Sequence, residues 1–301
     1  MPTYTQYQQA DALGRASSKI IWGDFPYYLL HSDPTRCRLF YDDFMNLTQA
    51  GIAVANFTDT TDATPGGMGY GGTYDNVLDG SVTATILSGE AGASGQDSGV
   101  GDLQIDGGGT DNDFSAIGFM DFALAGFARH GASSTVGVRD EMWFECRMKA
   151  DSVADNAQGW FLGLAEIGAV QDDPLGDNTG EILSTLDYVG WQVLNADGNA
   201  ALPIFQEGGN TKIVVGTGTN GTGAGTFAVT ADKWFKFGYK MKGDTIIFFA
   251  DGAENSRITV ASADNFPDVN RLCPFFAQKL GAGSAVETNI DWWMAGYFGD
   301  G

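Results

Sequence analysis

Two stretches of strict alternation constrain this chain more than anything else in it. From Met142 to Lys149 one face carries Met142, Phe144, Cys146 and Met148, and the other carries Trp143, Glu145, Arg147 and Lys149. From Trp234 to Lys242 one face carries Phe235, Phe237, Tyr239 and Met241, and the other carries Trp234, Lys236, Lys240 and Lys242. Successive side chains of a strand point to opposite sides, so a period of two is the mark of a β-strand with one face in a core. Gly243-Asp244 then turns the chain into Thr245-Ile246-Ile247-Phe248-Phe249, which predicts a hairpin, and Asp251-Gly252 predicts the next turn.

Shorter strands are expected at Arg38–Phe44, Val82–Leu87, Leu103–Ile105, Gly159–Ala165, Tyr188–Leu194, Lys212–Val215, Arg257–Val260 and Ile290–Tyr297. Polar loops, notably Gln171–Gly180 and Gly216–Gly225, separate them. Strand after strand without intervening amphipathic helices predicts an all-β, two-sheet antiparallel sandwich and argues against a parallel α/β sheet. No fixed-period repeat supports a propeller or solenoid. Residues 1–35 read differently. Tyr4 to Ile21 has helical spacing, and Ile20 to Leu30 concentrates Trp22, Phe25, Tyr27 and Tyr28. The chain therefore divides into an N-terminal arm, 1–35, and one sandwich domain, 36–301. Docking of the arm on its own domain is the default. Trp22, Phe25, Tyr27 and Tyr28 are the candidate partner-binding residues if it reaches elsewhere, because rigid aromatic groups dominate contact energies.

The composition fits a large β domain. Of 301 residues, 43% are apolar and 12% aromatic, enough for a core without staples, and 43 glycines against 8 prolines provide many tight turns. Sixteen Lys and Arg oppose 38 Asp and Glu, a net charge of −22. Such a surface repels phosphate backbones and anionic membranes, and it suits plain solubility or a salty environment at least as well as it complements a basic partner. Neither nucleic acid nor membrane is an expected partner. Residues 1–15 lack the basic start and apolar core of a secretory signal. The apolar stretch Ala116–Ala128 is too short to span a bilayer and is interrupted by Asp121. A soluble protein made in the cytoplasm is expected, and the Asn-x-Thr triplets at Asn46, Asn56 and Asn220 then carry no sugar.

Candidate chemistry is sparse. Cys37, Cys146 and Cys273 match no zinc or disulfide spacing, and Cys146 reads as a small buried hydrophobe. The two histidines, His31 and His130, share no ligand spacing. There is no nucleophile elbow, P-loop or dinucleotide fingerprint. A glycosidase needs two acids set across the sugar bond, and no such strand motif occurs: Glu145 has Trp143 and Arg147 as same-face neighbours, and Glu166 has no required approach to it. Asp106, Asp111, Asn112 and Asp113, and again Asp172, Asp173 and Asp177, are oxygen clusters of the type hard cations prefer, but they also suit solvated turns, the favoured reading. No metal or cofactor is assigned. Strand tryptophans suit a core or an interface better than a sugar platform.

Several segments together resemble a known family. These are Leu39-Phe40-Tyr41-Asp42-Asp43-Phe44, Met142-Trp143-Phe144-Glu145-Cys146-Arg147, Gly159-Trp160-Phe161-Leu162-Gly163-Leu164, Asp187-Tyr188-Val189-Gly190-Trp191, Lys233-Trp234-Phe235-Lys236-Phe237-Gly238, Phe248-Phe249-Ala250-Asp251-Gly252 and Ile290-Asp291-Trp292-Trp293. Their order over residues 36–298 resembles the concanavalin A-like lectin/glucanase jelly rolls, in the form recurring in structural proteins of tailed bacteriophages. The resemblance implies a jelly roll located on the virion, made in the host cytoplasm. It also implies a capsid decoration or cement role that binds the major capsid protein and reinforces the lattice. A symmetric homo-oligomer, a trimer first, is expected on the same grounds. The glucanase acid triplet is missing, so no enzyme is expected, with a divergent glycosidase the remotest reading. The alternative is a carbohydrate-binding or receptor-binding virion module. Its candidate face, which serves equally as an interface, comprises Trp143, Glu145, Arg147, Trp234 and Lys236.

Overall fold

The computed structural model describes residues 16–33, 36–42, 75–78, 82–87, 102–118, 141–170, 173–260, 266–267, 272–281 and 286–299. Among these, seventeen strands form two antiparallel sheets. Sheet 1 runs in the order β11 (Thr222–Gly223), β15 (Ala253–Thr259), β14 (Thr245–Ala250), β13 (Phe235–Lys242), β6 (Glu141–Ala150), β17 (Glu287–Phe298), β4 (Asp102–Asp106) and β3 (Thr83–Leu87). β1 (Cys37–Asp42) also pairs with β17, beyond the β4 contact. Sheet 2 runs β10 (Ile213–Val214), β9 (Asp197–Gln206), β8 (Tyr188–Leu194), β7 (Gln158–Glu166), β16 (Leu272–Leu280), β5 (Phe114–Gly118) and β2 (Asp75–Leu78), with β12 (Phe227–Ala228) also on β9. This is the all-β, two-sheet antiparallel sandwich that the alternation predicts, in the jelly-roll form that the resemblance implies.

The alternation also gives the faces correctly. Met142, Phe144, Cys146 and Met148 of β6 and Phe235, Phe237, Tyr239 and Met241 of β13 enter the layer between the sheets. There they meet Trp160, Leu162, Leu164, Val189 and Trp191 from sheet 2. Trp191 lies 5.2 Å from Phe237 and edge-on to Phe248 at 5.7 Å, while Phe144 stacks on Tyr239 at 5.4 Å. Two buried polar groups bridge the sheets: the Trp191 indole N–H donates to the Gly238 carbonyl at 3.2 Å, and the Tyr239 hydroxyl donates to that of Val189 at 3.2 Å. Each aromatic thus buries its ring and still satisfies its polar end.

Two further apolar layers lie outside the sandwich. Over sheet 2, Ala169, Leu175, Ile182 and Leu186 pack on Phe161, Tyr188, Ile204, Cys273 and Phe275. Over sheet 1, Ile21, Trp22 and Phe25 of the arm pack on Cys37, Trp143, Phe249, Trp292 and Met294. The central strands of both sheets are therefore covered on both sides. Within the arm, Tyr4–Tyr7 and the rest of the expected helix up to residue 15 fall outside the described residues. What is described is one turn, α1 (Lys19–Trp22), followed by a second, α2 (Leu29–Ser32). Residues 16–18 do not continue α1, because Ser18 is extended and its N–H is bound elsewhere.

Trp191 connects both sheets by ring packing and by a hydrogen bond. Trp191→Ala is expected to cost about 3–5 kcal/mol of unfolding free energy, measured by chemical denaturation.

Candidate functional site

The arm is seated on sheet 1 by a buried carboxylate and a row of lysines. Glu145 projects from the outer face of β6 and is 0% exposed. Its Oε2 accepts the Ser18 N–H at 2.8 Å and the Trp22 indole N–H at 2.9 Å. On β13, outward residues grip the arm backbone: Lys236 Nζ donates to the Ala16 carbonyl at 3.2 Å and Lys240 Nζ to the Ile20 carbonyl at 3.0 Å. Asp24 closes the seam, with Lys240 at 3.3 Å, Lys242 at 3.6 Å and the Trp143 indole N–H at 3.3 Å. Gly296 on β17 makes the seat flat. A Cβ there would stand 2.5 Å from Phe25 and 3.0 Å from Trp22.

Beside this seam, Arg147 forms a buried pair with Asp291 at 2.5 Å and lies 4.3 Å over the Trp234 ring. A bulge in β17 between Ile290 and Trp292 provides the geometry. The extra residue breaks the alternation, so Trp292 joins the outer layer while Trp293 returns to the central core.

The electrostatics of the two carboxylates of this seam, Glu145 on β6 and Asp24 in the arm, run in opposite directions. Burial pushes the Glu145 carboxyl up, against the pull of Ser18, Lys236 and Trp22. Burial alone would also raise Asp24, but Lys240, Lys242 and the Trp143 N–H outweigh it and hold its carboxyl below the usual range.

The second outer cover builds a recess. Residues 174–183 fold back on themselves, with Gly176 N–H to the Glu181 carbonyl at 2.7 Å and Leu183 N–H to that of Pro174 at 3.0 Å. Three buried side chains of sheet 2 hold this loop. Gln192 donates to the Gly180 carbonyl at 3.1 Å, Gln206 donates to that of Ser184 at 2.5 Å, and Lys279 reaches the Leu175 carbonyl at 3.1 Å. Tyr188 in turn donates to Gln206 Oε1 at 2.9 Å. Between the loop and the β9–β10 connection lies a shallow cleft of about 530 Å³, edged by Thr179, Glu181, Ser184, Asn210 and Lys212. Lys212 pairs with Glu181 at its rim.

These positions correct several expectations. Trp143, Glu145 and Arg147 do share an outer face with Trp234 and Lys236, but the face is not open. The arm and the Arg147–Asp291 pair bury its centre, leaving Trp234 and Lys236 half-buried. Trp234 itself precedes β13 instead of lying within it. Of the candidate partner-binding residues, Trp22 and Phe25 are buried against the chain's own sheet, whereas Tyr27 and Tyr28 are exposed. Glu166 ends a strand of the opposite sheet and is not paired across a site with Glu145. The Asp111–Asp113 and Asp173–Asp177 turns come together, Asn178 N–H donating to Asn112 Oδ1 at 3.2 Å. Asp172 and His130 are outside the described residues. Among the described residues no three His, Cys, Asp or Glu side chains form a metal-binding group. The cleft was missed because its residues are scattered over residues 176–212 with no spacing signal.

No protein-family model and no curated protein sequence matches the chain. Similar solved structures include a protein of unknown function from Shewanella oneidensis MR-1, 16% identical over 88% of this chain and 87% of that one, with a TM-score of 0.49. Peanut lectin is 11% identical over 88% and 99%, with a TM-score of 0.48. A carbohydrate esterase from the Shiga toxin-encoding bacteriophage phi24B is 15% identical over 75% and 90%, with a TM-score of 0.40. At these values the likenesses carry no argument about what this chain does, and the sandwich assignment rests on its own strand order and register.

Glu145 provides a pH test of the seam. A carboxyl raised in the folded state makes ionisation unfavourable there, so the stability lost grows as pH rises from the ordinary value of 4.5 through the raised one. Glu145→Gln keeps an acceptor for Ser18 and Trp22 without the charge. It is expected to be more stable than the parent at neutral pH, with the difference vanishing below about pH 4.5. Glu145→Ala strands two buried donors and is expected to cost about 1–3 kcal/mol, read from the same denaturation curves.

Proposed function

We propose that the protein is a non-enzymatic structural component of a virion, a decoration or cement protein on the capsid surface that binds and reinforces the major capsid lattice. The observation that supports this reading is the outward side of the docked arm. Ile20, Tyr27 and Tyr28 are 49%, 44% and 73% exposed there. Tyr41, 54% exposed, belongs to the same side, since Cys37 and Leu39 of its strand pack beneath the arm. Large apolar groups left outside on one side of a sheet whose own apolar row is already sealed mark a contact surface for another protein. Tyrosine supplies contact area with few rotatable bonds to freeze. The partner surface is expected to be basic, to match a net charge of −22, and the copies to associate symmetrically, as a trimer first.

A second reading, a carbohydrate- or receptor-binding virion module, is favoured by the cleft. The hydroxyls of Thr179 and Ser184, the Asn210 amide and the Glu181–Lys212 pair are the donors and acceptors that a polyhydroxylated ligand needs. It differs from the first reading in its surface, which lies over sheet 2.

The two readings separate by mutation. Tyr28→Ser together with Tyr41→Ser is expected to leave the sandwich folded, with a change of no more than about 0.5 kcal/mol at Tyr28, read by chemical denaturation. The same pair is expected to weaken attachment to undecorated capsids at least about tenfold, in a co-sedimentation titration, the size of one lost aromatic contact. Unchanged attachment, or binding abolished instead by Lys212→Ala, would overturn the first reading.

A further inference from the structure

The loop over sheet 2 has the composition of a cation-binding loop and is wrapped around a cation the chain supplies itself. Lys279 lies on the outer face of β16 and is 2% exposed in its side chain. Its ammonium pairs with Asp173, with Asp177 Oδ1 at 2.5 Å and with the Leu175 carbonyl at 3.1 Å. The Phe114 ring lies 5.9 Å from the same nitrogen. Asp173, Asn178 and Gly180 adopt positive φ angles of 55°, 58° and 63°, which bend the chain around this point. Gly180 is required there twice over, since a Cβ would also stand 2.6 Å from the Gly159 backbone. Asp173 and Asp177 are both substantially exposed, so the buried member of the group is the lysine.

A buried ammonium costs free energy unless it is paired and hydrogen-bonded. Three oxygens from one loop of five residues meet that requirement, and the same three are of the kind that hold calcium in loops. We propose that Lys279 is the built-in cation around which residues 173–180 close, and that it is the positioning residue of the adjacent cleft. The inference about the loop stands on its own. Its extension to ligand binding rests on the second reading above. The loop contributes Gly176, Thr179 and Glu181 to the cleft and carries Ser184 on its far side. The site at this edge is consequently metal-independent: the charge that fixes its wall cannot be removed by a chelator.

Lys279→Met keeps the apolar stem and deletes the charge, and the exposed aspartates it frees are left in water, so the sandwich itself is expected to stay folded. Hydrogen exchange of the full chain gives the loop readout. In Lys279→Met, the amides of Gly176, Gly180 and Leu183, whose partners lie within the loop, are expected to lose protection about tenfold or more, as one lost charge-assisted contact implies. The strand amides of β7 and β8 are expected to keep theirs. Lys279→Ala is expected to open the loop likewise, and added propylammonium, which replaces the missing stem and charge, is expected to close it again. A chelator is expected to change nothing in the parent protein. Unaltered loop protection in Lys279→Met, or loss of protection in the parent on chelation, would overturn the proposal. Binding of neutral oligosaccharides, assayed on the same variants, reports separately on the cleft. Loop opening with no oligosaccharide bound by the parent would sink the carbohydrate reading and leave the role of Lys279 in the loop standing.

Discussion

The outer faces of this sandwich are too apolar to stand in water. On sheet 1 the outward row includes Trp143, Phe249, Trp292 and Met294, and on sheet 2 it includes Phe161, Tyr188, Ile204 and Phe275. An antiparallel sandwich ordinarily turns polar residues outward. Here both outward rows need a cover, and each is covered by a segment of the same chain. The arm closes one side, and residues 167–170 and 173–187 close the other. That requirement decides which large apolar side chains are buried and which are left exposed.

Apolar burial alone does not position such covers, because it has no direction. Each is registered by buried polar groups. Glu145 accepts two donors from the arm, and the lysines of β13 take its carbonyls. Gln192, Gln206 and Lys279 perform the same task over sheet 2. These groups carry a cost in desolvation that partners from the docked segment reduce, and for Glu145 burial still outweighs them. These polar residues on the outward rows thus serve attachment of the chain to itself, and on sheet 1 they include Glu145 and Lys236 of the candidate ligand face.

The parts of the fold legible in the sequence are those with one apolar and one polar face. β6, β13 and the hairpin to β14 were readable face by face, to within a residue at their ends, and Tyr188–Leu194 was bounded correctly. β16 was not: Leu272–Leu280 is buried throughout, so its two faces give no alternation, and Pro274 discourages a strand assignment. β9 was hidden in the same way by Pro203 within Asp197–Gln206. For the candidate site, the sequence placed Trp143, Glu145 and Arg147 on one outward face and gave docking of the arm on its own domain as the default, but it gave no sign that this is the face the arm covers. That depends on a β17 bulge, on the space above Gly296 and on contacts between residues more than one hundred positions apart. The cleft depends on a loop whose sequence reads as solvated turns, and Lys279 lies about one hundred residues from the aspartates it holds.

The chain carries a natural reporter of the double cover. Its three cysteines, none in a disulfide, fall one to each apolar layer: Cys146 between the sheets, Cys273 under the cover of sheet 2, and Cys37 under the arm, its thiol 3.7 Å from the Pro26 carbonyl. Timed thiol labelling of the intact protein under native conditions, followed by mass spectrometry, reads each layer separately. The account predicts that all three are protected by orders of magnitude relative to the unfolded chain, and that Cys37 and Cys273 are exposed at different denaturant concentrations from Cys146 if the covers open first. Labelling of Cys37 or Cys273 in native buffer at the rate of the unfolded chain would contradict it.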